Sequence, residues 1–263
     1  MSNWKAVALN LKKLLKHSFQ QHFIESKLAL LSLTYLSLSV MLSAFNLVLG
    51  GALVSVLALK LSQPWGIVTS PLVHEDLRHL LGNYIGIIIS HVMLMLLLAC
   101  NIIADTFKHE VFIKYKTLGR LYGTTILISG TIIPGAATYI ALYMLENPKT
   151  QIIGASGIHY ALLGYTIPLT IATTYNAAQL YLQNPRQGKK LLITLTPIIA
   201  STTITLTYYV YKPLEFLIYQ PGVNALAHLT GFTAGVLVPI PLILLKVVKT
   251  VFKQARYLLA PHR

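Results

Sequence analysis

Long apolar blocks separated by short polar stretches, most of them basic, organise this chain. Several blocks exceed the roughly 20 residues that a helix needs to cross a bilayer. Six spans can be read: 28 to about 49, 79–103, 121–145, 156–175, 191–211 and 222–245. Apolar residues run on from Leu49 to Leu59, so the first boundary is soft. The pattern predicts an all-α membrane protein with one six-span domain over 28–245. A basic segment, 1–27, precedes that domain and a basic tail, 246–263, follows it. Residues 4–25 mix cations with Trp4, Leu11, Leu14 and Leu15. Such a segment either lies along the inner lipid surface or is a solvated tail. No internal repeat or low-complexity stretch is apparent.

Composition agrees with the pattern. Of 263 residues, 55% are hydrophobic and 11% charged, whereas soluble domains carry about 25% charged residues. An ordinary soluble enzyme is thereby disfavoured. The net charge of +14 would point to nucleic acid in a soluble chain, but here the positive-inside rule accounts for it. With the N-terminus inside, 17 cations and three acids fall on the inner side, against four cations and four acids outside. The whole net charge then lies on one side, and both termini are expected in the cytoplasm. A single cysteine, Cys100, permits neither an internal disulfide nor a cysteine-based zinc site. No cleavable signal peptide is expected, because the apolar stretch begins near residue 28 and is too long for one.

Polar side chains inside the spans carry the functional information. The second span begins with His79 and Asn83, and the fourth with Ser156, His159 and Tyr160. The sixth reaches His228 six residues in, roughly 9 Å below the outer surface. Three helices thus bring hydroxyl, imidazole and amide groups to similar depth on one side, which predicts a polar cavity open to the outside. Taken singly, each group could equally be structural glue between helices.

Elimination narrows the chemistry. The only aspartates, Asp76 and Asp105, lie at span ends, so a paired-aspartate site is disfavoured. His74-Glu75 is followed by His79 five positions on, about 140° round a helix, unlike the one-face arrangement of a zincin. Metal hydrolysis is not expected. Cys100 lies deep in the second span and reads as core. Serine with histidine remains: a hydroxyl needing an adjacent base and donors for an oxyanion. Gly157, Ala161 and Gly164 form a small-residue stripe on the fourth span, with Ser156 and Tyr160 at its edge. His228, Gly231 and Gly235 share a face of the sixth. Small stripes let membrane helices approach closely, and packing these two would bring His228 towards Ser156 and Tyr160.

These residues resemble the rhomboid family of intramembrane serine proteases. The matches are Gly154-Ala155-Ser156-Gly157, Tyr160-Ala161-Leu162 with Gly164-Tyr165, Ala227-His228 with Gly231 and Gly235, and His74, His79 and Asn83 in a His-x4-His-x3-Asn arrangement. The stretch from Trp65 to Asn83 resembles the family's first outer loop running into the second span, although Gly66 stands where Arg is frequent. The likeness covers roughly residues 28–245 and implies a six-transmembrane-helix rhomboid-like bundle. It implies Ser156 as nucleophile and His228 as general base, a dyad without a carboxylate. Tyr160 would hold the His228 ring, and the Ser156 N–H, His79 and Asn83 would form the oxyanion hole. Gly154 and Gly157 would let the backbone approach the scissile carbonyl. The implied substrates are single-span or multi-span membrane proteins, cut in or near their transmembrane segments within the lipid bilayer. Neither metal, cofactor nor nucleic acid is implied. The site would open to the non-cytoplasmic side, with the plasma membrane the expected location.

His159, three residues from Ser156, is a possible rival base. It projects roughly 160° from the small-residue stripe, which favours a cavity liner or helix contact. The expectation is that His228→Ala abolishes cleavage while His159→Ala only weakens it. His91 reads as a packed core histidine and His109 as a loop histidine. The threonines of the fifth span (Thr194, Thr196, Thr202, Thr203, Thr205, Thr207) read as residues bonding their own helix, with Tyr208, Tyr209 and Tyr211 at its end. The resemblance adds a lateral gate for substrate between the second and fifth spans. The runner-up function is an inactive rhomboid-like protein that binds membrane clients. A transporter is disfavoured, since no charged residue sits mid-membrane.

Overall fold

The computed structural model describes residues 27–106, 115–146, 150–211, 224–241 and 244–245. Residues 1–26 and 246–263, His109 and Gly222 lie outside the described residues.

Helix α1 spans Lys27–Val48 and buries Ala29, Ser32, Leu36, Ser39, Ser43 and Asn46. Their alternating spacings of three and four place them on one side. That inward seam is largely hydroxyl and amide, while Leu31, Met41, Phe45 and Val48 are exposed. The inversion suits lipid, where polar groups must be satisfied within protein and apolar ones can face the tails. Gly50 and Gly51, with φ of +61° and +88°, end the helix and settle the soft first boundary. The connection that follows contains two single-turn helices, α2 (Val54–Leu57) and α3 (Gly66–Thr69), and a 3-10 turn over Ser70–Leu72.

Helix α4 spans Leu77–Thr106 and α5 spans Tyr115–Thr124. A π-helical stretch, Thr125–Ile132, carries α5 into α6, Ile133–Met144. Then come α7 (Ser156–Gln183), α8 (Pro185–Tyr211) and α9 (Ala225–Leu237). Among the described residues the chain is helical, and its one β-like feature at the site is an isolated antiparallel bridge between Leu59 and Ile152.

Three segments are long and apolar enough to cross a membrane by length and composition: Lys27–Val48, Leu77–Asn101 and Arg120–Met144. Ala225–Leu237 is apolar but shorter. Helices α7 and α8 are long but more polar, and for α7 the reason is its position. It packs against α4, α8, α9 and the π-helical stretch, and most of its residues are buried. A helix wrapped by protein can carry His159, Thr166, Thr173 and Asn176 without exposing them to lipid. In α8, Thr194, Thr196, Thr202 and Thr205 donate to the carbonyls four residues earlier at 2.8–3.0 Å. The hydroxyls are thus satisfied within their own helix.

Cys100 is buried in the core around α7. His91 is half-buried and not fully enclosed: its Nδ1–H donates to the Ile87 carbonyl at 3.0 Å, and its Nε2 pairs with the Tyr122 hydroxyl of α5.

Candidate active site

Ser156 is the first residue of α7, where backbone N–H groups lack helical acceptors and the helix dipole favours negative charge. The strand-like approach to it is tied down by backbone. Leu59 and Ile152 exchange N–H···O bonds at 2.9 and 3.0 Å, and the Gly154 N–H donates to the Ser70 carbonyl at 3.0 Å. Gly154 has a φ of +102°, a conformation L-residues rarely adopt. A Cβ there would also lie 2.6 Å from His79 Nε2 and 3.0 Å from Asn83 Nδ2. The two α4 side chains therefore close on the backbone immediately before Ser156. They stand one turn apart on α4, whose start is capped by Asp76, its carboxylate accepting from the His79 N–H at 2.7 Å.

Behind Asn83 stands His74, fully buried. Its Nε2 accepts from Asn83 Nδ2 at 2.9 Å and from the Ala155 N–H at 3.3 Å. A nitrogen accepting from a backbone N–H carries no proton, so the proton is on Nδ1, which donates to Ser43 Oγ at 2.8 Å. The Ser43 hydroxyl donates in turn to the Leu72 carbonyl at 3.1 Å. One neutral imidazole thus joins α1, α4 and the loop before Ser156. Burial, with the neighbouring His79, pushes the His74 imidazole down to about 3, partly opposed by Asp76.

On the opposite side α9 meets α7 through backbone. A Cβ on Gly231 would lie 2.6 Å from the Gly157 carbonyl oxygen, and one on Gly235 2.1 Å from that of Ala161. One on Gly164 would lie 2.3 Å from the Phe232 oxygen. His228 precedes Gly231 by one turn, so this contact sets its ring over the end of α7 that begins with Ser156. The ring stacks on Tyr160, centroids 4.2 Å apart and 25° between planes. His228 is 8% exposed and Ser156 half-buried. Asn224 caps α9, its side-chain oxygen accepting from the Ala227 N–H at 3.0 Å, and its amide donates to Thr138 of α6 at 3.0 Å. A cavity of about 20 Å³ adjoins Ser156, lined also by Ser70, Gly157, Thr138 and Asn224. That suffices for about one water.

His159 is not at this junction. It faces α4, where a Cβ on Gly86 would fall 2.5 Å from its ring. Gly66 is packed tightly within the connection between α1 and α4. A Cβ there would sit 2.3 Å from the Leu59 Cα, and Trp65 Nε1–H donates to the Val56 carbonyl at 2.9 Å. Sequence reasoning missed Ser43, Asp76 and Asn224. The hydroxyls of α1 at three-four spacing were the available signal for the first, and Asp76 and Asn224, each just ahead of a helix, for the caps.

Fold and site together define a helical membrane protein with a serine at a helix start, a histidine ring stacked on Tyr160 one turn along that helix, and the His79 and Asn83 side chains against Gly154. The family model described as the Rhomboid domain matches residues 61–245, well over half of the chain. The chain belongs to the rhomboid family. No curated protein and no solved structure matches it.

Proposed function

We propose that this rhomboid-family protein is an intramembrane serine endopeptidase with Ser156 as nucleophile and His228 as general base. The observation that carries the reading is the convergence on one end of α7: His228 stacks on Tyr160 one turn from Ser156, while His79 and Asn83 close on Gly154. The reading takes six spans from the apolar blocks and places both termini in the cytoplasm from the charge distribution. The site then opens to the outer side, in the plasma membrane.

In the reaction, Ser156 Oγ attacks the scissile carbonyl and its proton passes to His228. The carbonyl electron pair moves onto oxygen, where the Ser156 N–H, His79 and Asn83 stabilise it. Collapse breaks the C–N bond, and His228 returns the proton to the leaving amine. Water, deprotonated by His228, then attacks the acyl-serine and regenerates the hydroxyl. Without a carboxylate to orient the imidazole, the Tyr160 ring does so by packing, the role an aspartate has in a triad. A substrate helix has its amides hydrogen-bonded, so it must unwind locally, which favours cleavage near Gly, Pro or small polar residues.

The test is covalent labelling of the detergent-solubilised protein with a fluorophosphonate, with Ser156→Ala and His228→Ala alongside. Labelling of wild type alone supports the reading, and cleavage of a model transmembrane substrate completes it. An unlabelled wild type beside a labelled active rhomboid would overturn it in favour of client binding without cleavage.

A further inference from the structure

His159 has no part in the Ser156–His228 reading, yet it is enclosed, 6% exposed, between α7 and α4. On the α4 side it occupies space that only glycine leaves. A Cβ on Gly86 would fall 2.5, 2.6 and 2.8 Å from its Cε1, Nδ1 and Cγ, so the whole ring would have to move. It also meets Tyr160, ring centroids 5.0 Å apart and tilted by 39°. Tyr160 in turn stacks on His228 at 4.2 Å. Tyr160 thus touches one ring that lies against the α4 backbone and another carried by α9.

We propose that His159 is a positioning residue: it backs the Tyr160 ring and through it sets the orientation of the His228 imidazole towards Ser156. The inference rests on the Ser156–His228 reading above. A buried ring stacked on one neighbour still tilts and slides unless its other side is filled, and ring pairs gain from defined edge and face geometry. Near-attack alignment is sensitive to displacements of an ångström or less. A dyad that relies on a ring to hold its base therefore also relies on what holds that ring. Gly86 is the other half of the device, because it lets His159 sit deep enough to reach Tyr160 from the α4 side.

The test uses the full chain in detergent and compares His159→Phe with His159→Leu, two substitutions that keep apolar volume but differ in having a flat ring. The readouts are the fluorophosphonate labelling rate, kcat and KM on a transmembrane substrate, and the thermal midpoint. His159→Phe is expected to label within about twofold of wild type. His159→Leu is expected to fall about 5- to 10-fold in labelling rate and kcat, the scale of one ring contact, with KM and midpoint little changed. Gly86→Ala, which presses on the same ring from α4, should slow labelling too, and combined with His159→Leu should cost less than the two effects multiplied. Wild-type rates in His159→Leu, or equal losses in the Phe and Leu variants, would overturn the inference and leave the dyad standing. Absence of labelling in wild type would instead remove the dyad, and the inference with it.

Discussion

At the scale of single residues, the frame around Ser156 is tied together by one imidazole, that of His74. His74 accepts two N–H bonds at Nε2 and so is built into the fold as a neutral ring. Its ordinary value of 6.5 is lowered to about 3, by burial first and by His79 second. The unfolded chain takes up this proton near 6.5 and the folded protein resists it. The stability contributed is thus fully present above 6.5 and is lost as pH falls towards 3. The whole shift corresponds to about 5 kcal/mol. The thermal midpoint of wild type is expected to drop over this window more steeply than that of His74→Gln, and parallel curves would count against the assignment. Ser156, His228, His79 and Asn83 could be picked out as candidates from sequence, because polar groups in apolar spans are conspicuous, whereas Ser43, Asp76 and Asn224 were not. The bond from Ala155 to His74 could not, since it joins residues 81 apart in the chain and no local pattern encodes such a pairing.

At the scale of elements, the decisive contact is α7 against α9. Here the small residues on each helix sufficed to anticipate which faces meet, because backbone contact is possible only where side chains are absent. Gly235 is the tightest point, with the Ala161 carbonyl where a Cβ would go. Backbone cannot swing aside as a side chain can. Gly235→Val is expected to destabilise the protein by about 1–3 kcal/mol and to slow serine labelling by lifting His228 away from Ser156. A wild-type labelling rate in a folded variant would show that the two helices are not held together there. The π-helical stretch over Thr125–Ile132 was invisible in sequence. A π turn differs from an α turn in its backbone hydrogen bonding and leaves apolar composition unchanged; within this stretch Gly130 lies directly against Ile158 and Gly157 of α7.

At the scale of the molecule, six apolar blocks were readable because lipid imposes length and composition on whatever crosses it. The same reasoning loses force for α7, which protein encloses, and for α8, whose threonine hydroxyls are satisfied within their own helix, so both stand out less than α1 or α4. The outward turns of α4 expose Leu81, Ile85 and Ile88, and α8 exposes Ile204 and Tyr208. If substrate enters between these two helices, a disulfide joining them should slow cleavage of a transmembrane substrate while leaving fluorophosphonate labelling intact. Equal turnover with and without the cross-link would exclude this route.

Helix α1 offers no reacting group, yet its polar seam has a consequence for biosynthesis. Ser39 and Ser43 donate to the carbonyls of Pro71 and Leu72, and Asn46 to that of His74. Those acceptors are made some 30 residues later and are placed only once α4 is in the bilayer. Until then the nascent first helix holds its hydroxyls and amide without their final partners. Its retention in the membrane therefore depends on the apolar outer face alone. Chains interrupted before α4 would present this seam to lipid with its polar groups unsatisfied.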